Sequence, residues 1–277
     1  MKKLWMGILS AVCAGGAMAT VIYQDNFENN SGALHNRRPD SYDSSVVALA
    51  DWKNEGSTFV VTAGTLQTTT NGLASAWLTM PTVSVGEIIK VSAVMVANGD
   101  ANNDYISIGF SNAKGHTYVV GCPWMSLYRR IDSFNGNGRF LVFSGRGSDG
   151  TFLVNQGFLV EAKGFTTDLN ARNTVNYEYN TRTGNLLVWL LSANGTSVTQ
   201  YNGSVNYGGV AGAPVPVDQI KYMAVTFNRV DVQGSANPAY LDNLVVEIIP
   251  EPATIGFVPD LRGQRAGDRQ SASVSIL

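Results

Sequence analysis

The sequence has few residues of the kinds that form disulfides, metal centres or nucleophilic sites. Only two of its 277 residues are cysteine, two are histidine, and 14% are charged. Cys13 lies in an apolar N-terminal segment, and Cys122 lies between apolar residues, as expected of a buried, unreactive thiol. His35 and His116 lie in polar, loop-like segments that no Gly-x-Ser-x-Gly motif accompanies. A disulfide framework, a catalytic triad and a histidine metal centre are therefore disfavoured.

Paired acids of the kind that hydrolyse glycosidic bonds are also missing. A glycosidase needs two carboxylates about 5–9.5 Å apart, and sandwich-type glucanases carry them on one strand as Glu-x-Asp-x-x-Glu. Here Glu161 and Glu178 each stand alone in their strands, and Glu247 has no acidic neighbour on its face. The string 145–150 has the spacing of a dinucleotide-binding loop, but a predicted strand follows it where a helix is needed. The sequence thus predicts no catalytic residue and a protein that is not an enzyme.

The N-terminus has the features of a secretory signal peptide. Lys2 and Lys3 precede a short apolar run, Leu4–Ala14, and Ala17–Ala19 is a small-x-small cleavage site. The run is too short for a membrane helix, which needs about 20 apolar residues. We expect residues 1–19 to be removed after Ala19, and the protein to be extracellular or at the cell surface.

The charge of the mature chain limits its partners. Without the two N-terminal lysines, the chain has 17 basic and 21 acidic residues, a net charge of −4. This small negative balance argues against nucleic acid or an anionic membrane surface as a partner. Export and sorting machinery are expected partners, and polysaccharide or extracellular matrix are candidates.

The mature chain consists of short apolar or alternating segments separated by turn residues, with no helical periodicity. Such a pattern predicts an all-β protein with an antiparallel two-sheet, jelly-roll-like sandwich over residues 20–249. Residues 31–53 are expected to form a loop with at most one helical turn, at 44–50. The predicted strands are Val21–Tyr23, Thr58–Thr62, Thr65–Thr69, Ala76–Met80, Ile88–Ala97, Tyr105–Ser111, Thr117–Gly121, Phe140–Ser144, Thr174–Tyr179, Leu186–Leu191, Val198–Asn202, Lys221–Phe227 and Tyr240–Ile249.

The C-terminal segment, residues 250–277, begins with Pro250-Glu251-Pro252, which cannot continue a strand ladder. With Ala253–Gly256 behind it, this string resembles the start of a PEP-CTERM sorting segment of bacterial exported proteins. The resemblance implies recognition by an export-and-processing enzyme and a link to exopolysaccharide or biofilm matrix. In that family an apolar membrane helix and an arginine cluster follow the motif.

The tail departs from the PEP-CTERM pattern after Phe257-Val258. Arg262, Arg265, Asp268 and Arg269 stand where apolar residues are needed, and each charge at mid-bilayer costs about 2.5–3.5 kcal/mol. We therefore predict a mobile tail and no stable membrane span in the mature chain. The tail is either a natural soluble variant or the product of a frameshift.

The ends of the β domain carry a second resemblance. The opening Asp25–Glu28 and the closing Tyr240–Val246 resemble the first and last strands of concanavalin A-like and laminin-G-like jelly rolls and of similar carbohydrate-binding modules. Such jelly rolls carry a structural calcium that joins their first and last strands. The resemblance implies a calcium site at Asp25, Glu28 and Asp242, which match those positions, with no other cofactor required.

The densest aromatic and basic cluster of the sequence is Trp124, Tyr128, Arg129 and Arg130. Sugars stack on aromatic faces with polar groups around them, and Trp124 follows a breaking strand. We predict a ligand-binding site here, and core positions for Trp52, Trp77 and Trp189.

The function that best fits these features is a non-catalytic cell-surface or extracellular-matrix protein that binds glycans. Two alternatives are a polysaccharide hydrolase or lyase with an unfamiliar arrangement of acids, and a purely structural matrix protein.

Overall fold

The computed structural model describes residues 18–29, 31–48, 50–55, 58–96, 104–112, 114, 125–131, 139–144, 172–191, 195–205, 207, 210, 212–228 and 231–251. All of them belong to one compact unit, Ala17–Glu251. Val217–Gln219 forms a three-residue 3-10 turn. None of the helices described is long and apolar enough to cross a membrane.

Sixteen strands are described. They are β1 Thr20–Asp25, β2 Gly32–Ala33, β3 Ser41–Tyr42, β4 Lys53–Asn54, β5 Phe59–Thr62, β6 Thr65–Thr68, β7 Leu73–Thr79, β8 Ile88–Val96, β9 Asp104–Ser111, β10 Met125–Ile131, β11 Arg139–Ser144, β12 Asn173–Asn180, β13 Asn185–Leu191, β14 Ser197–Ser204, β15 Tyr222–Asn228 and β16 Tyr240–Ile249.

The strands form two antiparallel sheets. The ten-stranded sheet has the order β14-β13-β12-β8-β16-β6-β5-β2, and β1 pairs with both β16 and β3. The six-stranded sheet has the order β11-β10-β9-β15-β7-β4. Strands distant in sequence lie side by side, since the N-terminal β1 and the C-terminal β16 pair along most of β1. The predicted antiparallel two-sheet fold is thereby confirmed.

The core lies between the two sheets and joins them by aromatic contacts. Phe59 of the ten-stranded sheet meets Phe227 of the six-stranded sheet edge to face, with ring centroids 5.4 Å apart. Phe110 and Tyr177 make a second such contact at 5.7 Å. The hydroxyl of the fully buried Tyr23 donates a hydrogen bond to the carbonyl of Thr79, again across the sheets. These contacts fix which face of each strand is the inner one.

Most predicted strands are present, and the differences have physical reasons. The segment predicted as a loop, residues 31–53, contains three two-residue strands, β2, β3 and β4, too short to show a period. The helical turn predicted at residues 44–50 is one turn long, and in it Val47 N–H donates a hydrogen bond to the Asp43 carbonyl at 3.0 Å. The strand β10 was not predicted, because Arg129 interrupts its apolar alternation. The predicted strand 117–121 and the tail after Glu251 lie outside the described residues.

Replacing Tyr177 with phenylalanine is expected to stabilise the protein. Tyr177 is 3% exposed, burial raises its pKa well above the ordinary value, and its hydroxyl has no hydrogen-bond partner in the described part of the chain. Removing the hydroxyl should raise the free energy of unfolding by about 1 kcal/mol and the Tm by roughly 2–4 °C. Thermal unfolding followed by circular dichroism measures this.

The matched control for Tyr177 is Tyr179, two residues along the same strand face. Its hydroxyl accepts a hydrogen bond from Val215 N–H at 2.7 Å, so Tyr179→Phe should cost about 1 kcal/mol. Equal losses of Tm in both variants would contradict the assignment of an unpaired hydroxyl to Tyr177.

Candidate functional site

Trp189 lies on the outer face of the ten-stranded sheet. On β13, Leu186, Val188 and Leu190 are buried in the core, whereas Trp189 between them is half-buried. Successive side chains of a strand point to opposite faces, so the indole faces away from the core. The prediction that Trp189 is a core residue is therefore wrong. Trp52 is fully buried, as predicted, and Trp77 is buried outside the central core cluster.

A row of charged residues crosses the same outer face. Lys90 of β8 pairs in register with Glu178 of β12 on one side and with Glu247 of β16 on the other. Its Nζ lies 3.7 Å from Glu178 Oε1 and 3.8 Å from Glu247 Oε2. All three side chains are between 24% and 32% exposed. The expectation that Glu247 has no acidic neighbour on its face is corrected, because Glu178 lies on the same face, two strands away. Glu178 is the only acidic residue of β12, as expected.

The charged row borders the indole of Trp189. Lys90 Nζ lies 5.9 Å from the Trp189 ring centroid, close enough for a cation–π attraction. In the next row, Ser92 pairs with Asn176, and Asn176 pairs with Trp189. We call Trp189, Lys90, Glu178, Asn176 and Ser92 the Trp189 surface.

The chemistry that the Trp189 surface offers is stacking and hydrogen bonding. An indole provides a large apolar face, and around it stand an ammonium, a carboxylate and a hydroxyl, which together donate and accept hydrogen bonds. The amide of Asn176 is buried and donates to the Thr174 carbonyl at 3.4 Å. A pyranose ring presents an apolar C–H face and hydroxyl edges, so it complements this combination. Both carboxylates of the row face the same ammonium, an arrangement typical of a surface ion-pair network.

Asp25, one of the three predicted calcium ligands, lies in a buried ion-pair network. It is fully buried, and its Oδ2 accepts hydrogen bonds from Arg37 Nη1 at 2.5 Å and Trp52 Nε1 at 2.8 Å. Its Oδ1 accepts one from Phe27 N–H at 3.0 Å. Burial raises the pKa of Asp25 above its ordinary value, against the hydrogen bond and charge of Arg37 and the hydrogen bonds of Trp52 and Phe27. The network joins the end of β1 to the segment between β2 and β4.

Arg37 is the cation of that network and is itself almost fully enclosed. Its guanidinium also contacts Asp40 Oδ1 at 3.2 Å and donates to the Asn29 carbonyl at 3.0 Å. It lies over the Phe27 ring, 5.5 Å from the centroid. Only 6% of its side chain is exposed, so its charge depends on the carboxylate of Asp25 for compensation.

The other two predicted calcium ligands have different neighbours. The Glu28 carboxylate lies against Gly64 in the β5–β6 turn. Asp242 Oδ2 accepts a hydrogen bond from Arg172 Nη2 at 2.5 Å. Among the described residues, no three metal-ligating side chains come together. Calcium binding by Asp25, Glu28 and Asp242 stays a prediction.

The predicted ligand cluster around β10 is described in part. Trp124 lies outside the described residues. In the backbone register Tyr128 pairs with Ser107, Arg129 with Ile106 and Arg130 with Tyr105. The ligand role of Trp124, Tyr128, Arg129 and Arg130 stays a prediction.

The first two residues of the Pro-Glu-Pro string are described as well. Pro250 follows the end of β16 directly. Glu251 Oε2 lies 2.6 Å from Arg182 Nη2 on the β12–β13 turn, and both side chains are about half exposed. Pro252 lies outside the described residues.

Two surface grooves lie elsewhere in the described part of the chain. The first, of about 460 Å³, includes Met80, Val83 and Tyr222. The second, of about 500 Å³, includes His35 and Arg37. Trp189 lines neither of these two grooves.

Comparison with known proteins defines the fold. No family model and no curated protein matches this chain. Among solved structures it is similar to the CBM2 module of the evolved Dit of Lactobacillus casei BL23 phage J-1, with a TM-score of 0.50 and 13% identity over 85% of this chain and 98% of that one. It is also similar to arcelin-5, a lectin-like defence protein from Phaseolus vulgaris (TM-score 0.46, 8% identity, 84% and 99% covered). Alginate lyase Aly36B gives a TM-score of 0.44 and 16% identity, with 83% and 97% covered.

At such low identities the likeness shows the fold alone. The protein is an all-β, antiparallel two-sheet, jelly-roll-like sandwich. A fold of this kind hosts several functions, so function has to be argued from the side chains of this chain.

Proposed function

We propose that this protein is an exported, non-catalytic glycan-binding protein of the cell surface or extracellular matrix, and that it holds the glycan at the Trp189 surface. The signal-peptide pattern of residues 1–19 and the Pro-Glu-Pro string at residues 250–252 support export. The observation that carries the binding proposal is the outward tryptophan on a sheet face with polar neighbours.

A tryptophan turned away from the core needs a reason, because the indole is the largest apolar side chain. A buried aromatic residue contributes 150–250 Å² of contact area, and Trp189 leaves part of that area uncovered. A stacked sugar ring would cover it. Ser92 is half-buried on the same face and supplies a hydroxyl that can donate to and accept from ring hydroxyls.

The charges at the Trp189 surface favour a neutral glycan. Lys90 is shared by two carboxylates, so the row carries no uncompensated positive charge. An acidic sugar placed on the indole would approach Glu178 and be repelled by it. Neutral hexose or pentose polymers are therefore the expected ligands of this surface.

Replacing Trp189 with alanine is expected to weaken glycan binding at least tenfold, equivalent to about 1.4 kcal/mol of lost stacking. A glycan array probed with the mature chain, residues 20–277, identifies the ligand, and isothermal titration gives the affinities. Trp189→Phe should retain part of the affinity because it keeps an aromatic face. The matched control is Tyr222→Ala, which removes a half-buried aromatic of the other sheet and should bind like the wild type.

Equal binding by the wild type and Trp189→Ala would contradict the proposed site, and no binding to any glycan would contradict the function. The second result would favour the purely structural matrix protein.

One observation favours a second candidate function, polysaccharide hydrolysis. Glu178 and Glu247 lie within 4 Å of the same ammonium, on one face, so two carboxylates come within the range that glycosidases use. Release of reducing ends from a polysaccharide panel, abolished by Glu178→Gln and by Glu247→Gln, would replace the binding proposal with an enzymatic one.

A further inference from the structure

Accessible side chains continue beyond the Trp189 surface on the outer face of the ten-stranded sheet. Thr174 of β12 lies two residues before Asn176 and pairs with Leu191 of β13. Thr174 is half-buried and Leu191 is 37% exposed. Arg172, which precedes β12, has 51% of its side chain exposed. A strip of partly exposed side chains therefore runs from the indole towards the start of β12.

Arg172 reaches across the sheet to β16. Its Nη2 donates a hydrogen bond to Asp242 Oδ2 at 2.5 Å, and its Cζ lies 5.6 Å from the centroid of the Tyr240 ring. Asp242 pairs in register with Val94 of β8, and Val94 pairs with Thr174 of β12. The arginine side chain therefore crosses β8. Val94 is buried but does not belong to the core cluster, as expected of a residue on the outer face beneath that side chain.

The carboxylate of Asp242 holds the guanidinium in place. Only 8% of the Asp242 side chain is exposed, and its Oδ1 accepts a hydrogen bond from Asn243 N–H at 2.7 Å, so both carboxylate oxygens are engaged. A guanidinium has five N–H groups in one plane, and Asp242 accepts a hydrogen bond from Nη2. Arg172 is thus a fixed, half-exposed donor group beside the half-buried ring of Tyr240.

The guanidinium and the indole are too far apart to bind the same sugar ring. Arg172 precedes Asn176, the register partner of Trp189, by four residues, which is about 13 Å along a strand. The contacts of the guanidinium lie on β16, three positions from β13 in the strand order, and neighbouring strands are about 4.8 Å apart. A ligand that contacts both groups has to be a chain of sugar units that lies obliquely across the strands.

The charges along this strip are compensated. Asp242 neutralises Arg172. Lys90 is neutralised by Glu178 and Glu247. These contacts comprise three carboxylates and two cations, and an excess of negative charge repels a polyanion. The ligand that complements the strip is therefore a neutral polysaccharide.

We infer that the ligand of the Trp189 surface is a neutral polysaccharide chain and that Arg172 and Tyr240 form a second subsite for the sugar units beyond the indole. This inference rests on the proposed function and adds to it the length of the ligand. The indole stacks on one unit, and the guanidinium donates hydrogen bonds to the hydroxyls of a later unit.

The test measures affinity as a function of ligand length. The probes are linear β-1,4-linked oligosaccharides of glucose, mannose and xylose, from the disaccharide to the hexasaccharide, titrated calorimetrically into the mature chain, residues 20–277. In the series that binds best, the affinity should rise at least tenfold from the disaccharide to the hexasaccharide. A site for a single ring would gain at most about threefold, because the hexasaccharide offers it three times as many units.

Replacing Arg172 with glutamine separates the two subsites. Arg172→Gln should bind the disaccharide like the wild type and lose at least fivefold in affinity for the hexasaccharide, whereas Trp189→Ala should weaken both. The matched control is Arg182→Gln. Arg182 is 55% exposed and pairs with Glu251 at 2.6 Å in the turn at the other end of β12, so this variant should bind both probes like the wild type.

Circular dichroism checks that each variant is folded. If Arg172→Gln does not fold, Tyr240→Leu takes its place, because leucine keeps an apolar side chain on β16 and removes the ring. The length dependence of the wild type needs no variant.

Four results would overturn the inference. Affinities for the disaccharide and the hexasaccharide that differ by threefold or less would show a site for a single ring, although the proposed function would stand. Wild-type affinity of Arg172→Gln for the hexasaccharide would place the second subsite elsewhere. Equal losses for both probes in folded Arg172→Gln would show that Arg172 does not act separately from the indole. Binding of none of the three series would contradict the inference, while the glycan array would still decide the proposed function.

Discussion

Replacing Arg37 with methionine is expected to lower the free energy of unfolding by about 3–5 kcal/mol at neutral pH. The substitution leaves the fully buried Asp25 carboxylate without its cation, with only Trp52 Nε1 and Phe27 N–H as donors. It also removes the guanidinium from the Phe27 ring and from the Asn29 carbonyl. Urea unfolding followed by tryptophan fluorescence measures the loss.

The loss in Arg37→Met should shrink as the pH falls. Burial already raises the pKa of Asp25 above 3.8 in the wild type, and Arg37 opposes that rise. Without Arg37 the folded-state pKa rises further, so the folded variant binds a proton that the unfolded chain does not. Its stability therefore increases as the pH is lowered through that folded-state pKa towards 3.8, and the gap to the wild type narrows.

Arg38 is the matched control for Arg37. It neighbours Arg37 in sequence, but its ion pair with Asp51 is 3.3 Å long and 68% of its side chain is exposed. Exposed pairs contribute about 0–1 kcal/mol, so Arg38→Met should change stability by less than that. Two results would show that the network around Asp25 does not stabilise this end of the domain. One is a loss of unfolding free energy in Arg37→Met that is no larger than the loss in Arg38→Met. The other is a loss in Arg37→Met that does not change with pH.

Replacing Phe227 with alanine is expected to cost about 3–5 kcal/mol. Phe227 is fully buried on β15 and meets Phe59 of the opposite sheet edge to face, at 5.4 Å. The substitution opens a cavity at the contact that joins the two sheets and also removes the aromatic pair, itself worth about 0.5–1.5 kcal/mol. Chemical denaturation at constant pH gives the change in free energy.

The control for Phe227 lies on the neighbouring strand β7, where Leu73 pairs with Asn228, the residue that follows Phe227. Leu73 is at the start of β7 and 46% exposed, so Leu73→Ala should cost less than about 1 kcal/mol. If Phe227→Ala is as mild as Leu73→Ala, the aromatic contacts between the sheets do not fix the sandwich.

The fold was predictable because each strand carries its own signal. Alternation within segments such as Val175–Tyr179 and turn residues such as Gly184, with φ of +68°, are local properties of the chain. The segment containing Arg37 carries no such signal. Its two-residue strands and its buried arginine are fixed by Asp25, which comes from β1, so only the folded structure brings the network together.

The candidate site was less predictable than the fold, and the reason is different for each of its residues. The outward position of Trp189 follows from the alternation of Leu186, Val188 and Leu190. This local pattern is a better guide to the position of Trp189 than the general preference of tryptophan for the core. The partnership of Glu178 and Glu247 through Lys90 needs the order of β12, β8 and β16, which no local pattern contains.

Stability and binding can be varied separately in this protein. Trp189 lies on an outer face, whereas Arg37 and Phe227 are buried. Variants of Trp189 should change affinity with little change in Tm. Variants of Arg37 and Phe227 should lower the Tm with unchanged affinity while the protein stays folded.

Hydroxyl-radical footprinting of Trp189 with and without bound glycan tests the central claim most directly. Trp189 is half-buried and Trp52 is fully buried, so radicals reach the first indole and not the second, and mass spectrometry separates their peptides. Saturation with the tightest-binding neutral glycan of the array should lower the oxidation of Trp189 at least twofold and leave Tyr222 unchanged. Oxidation of Trp189 to the same extent with and without saturating glycan would contradict the account.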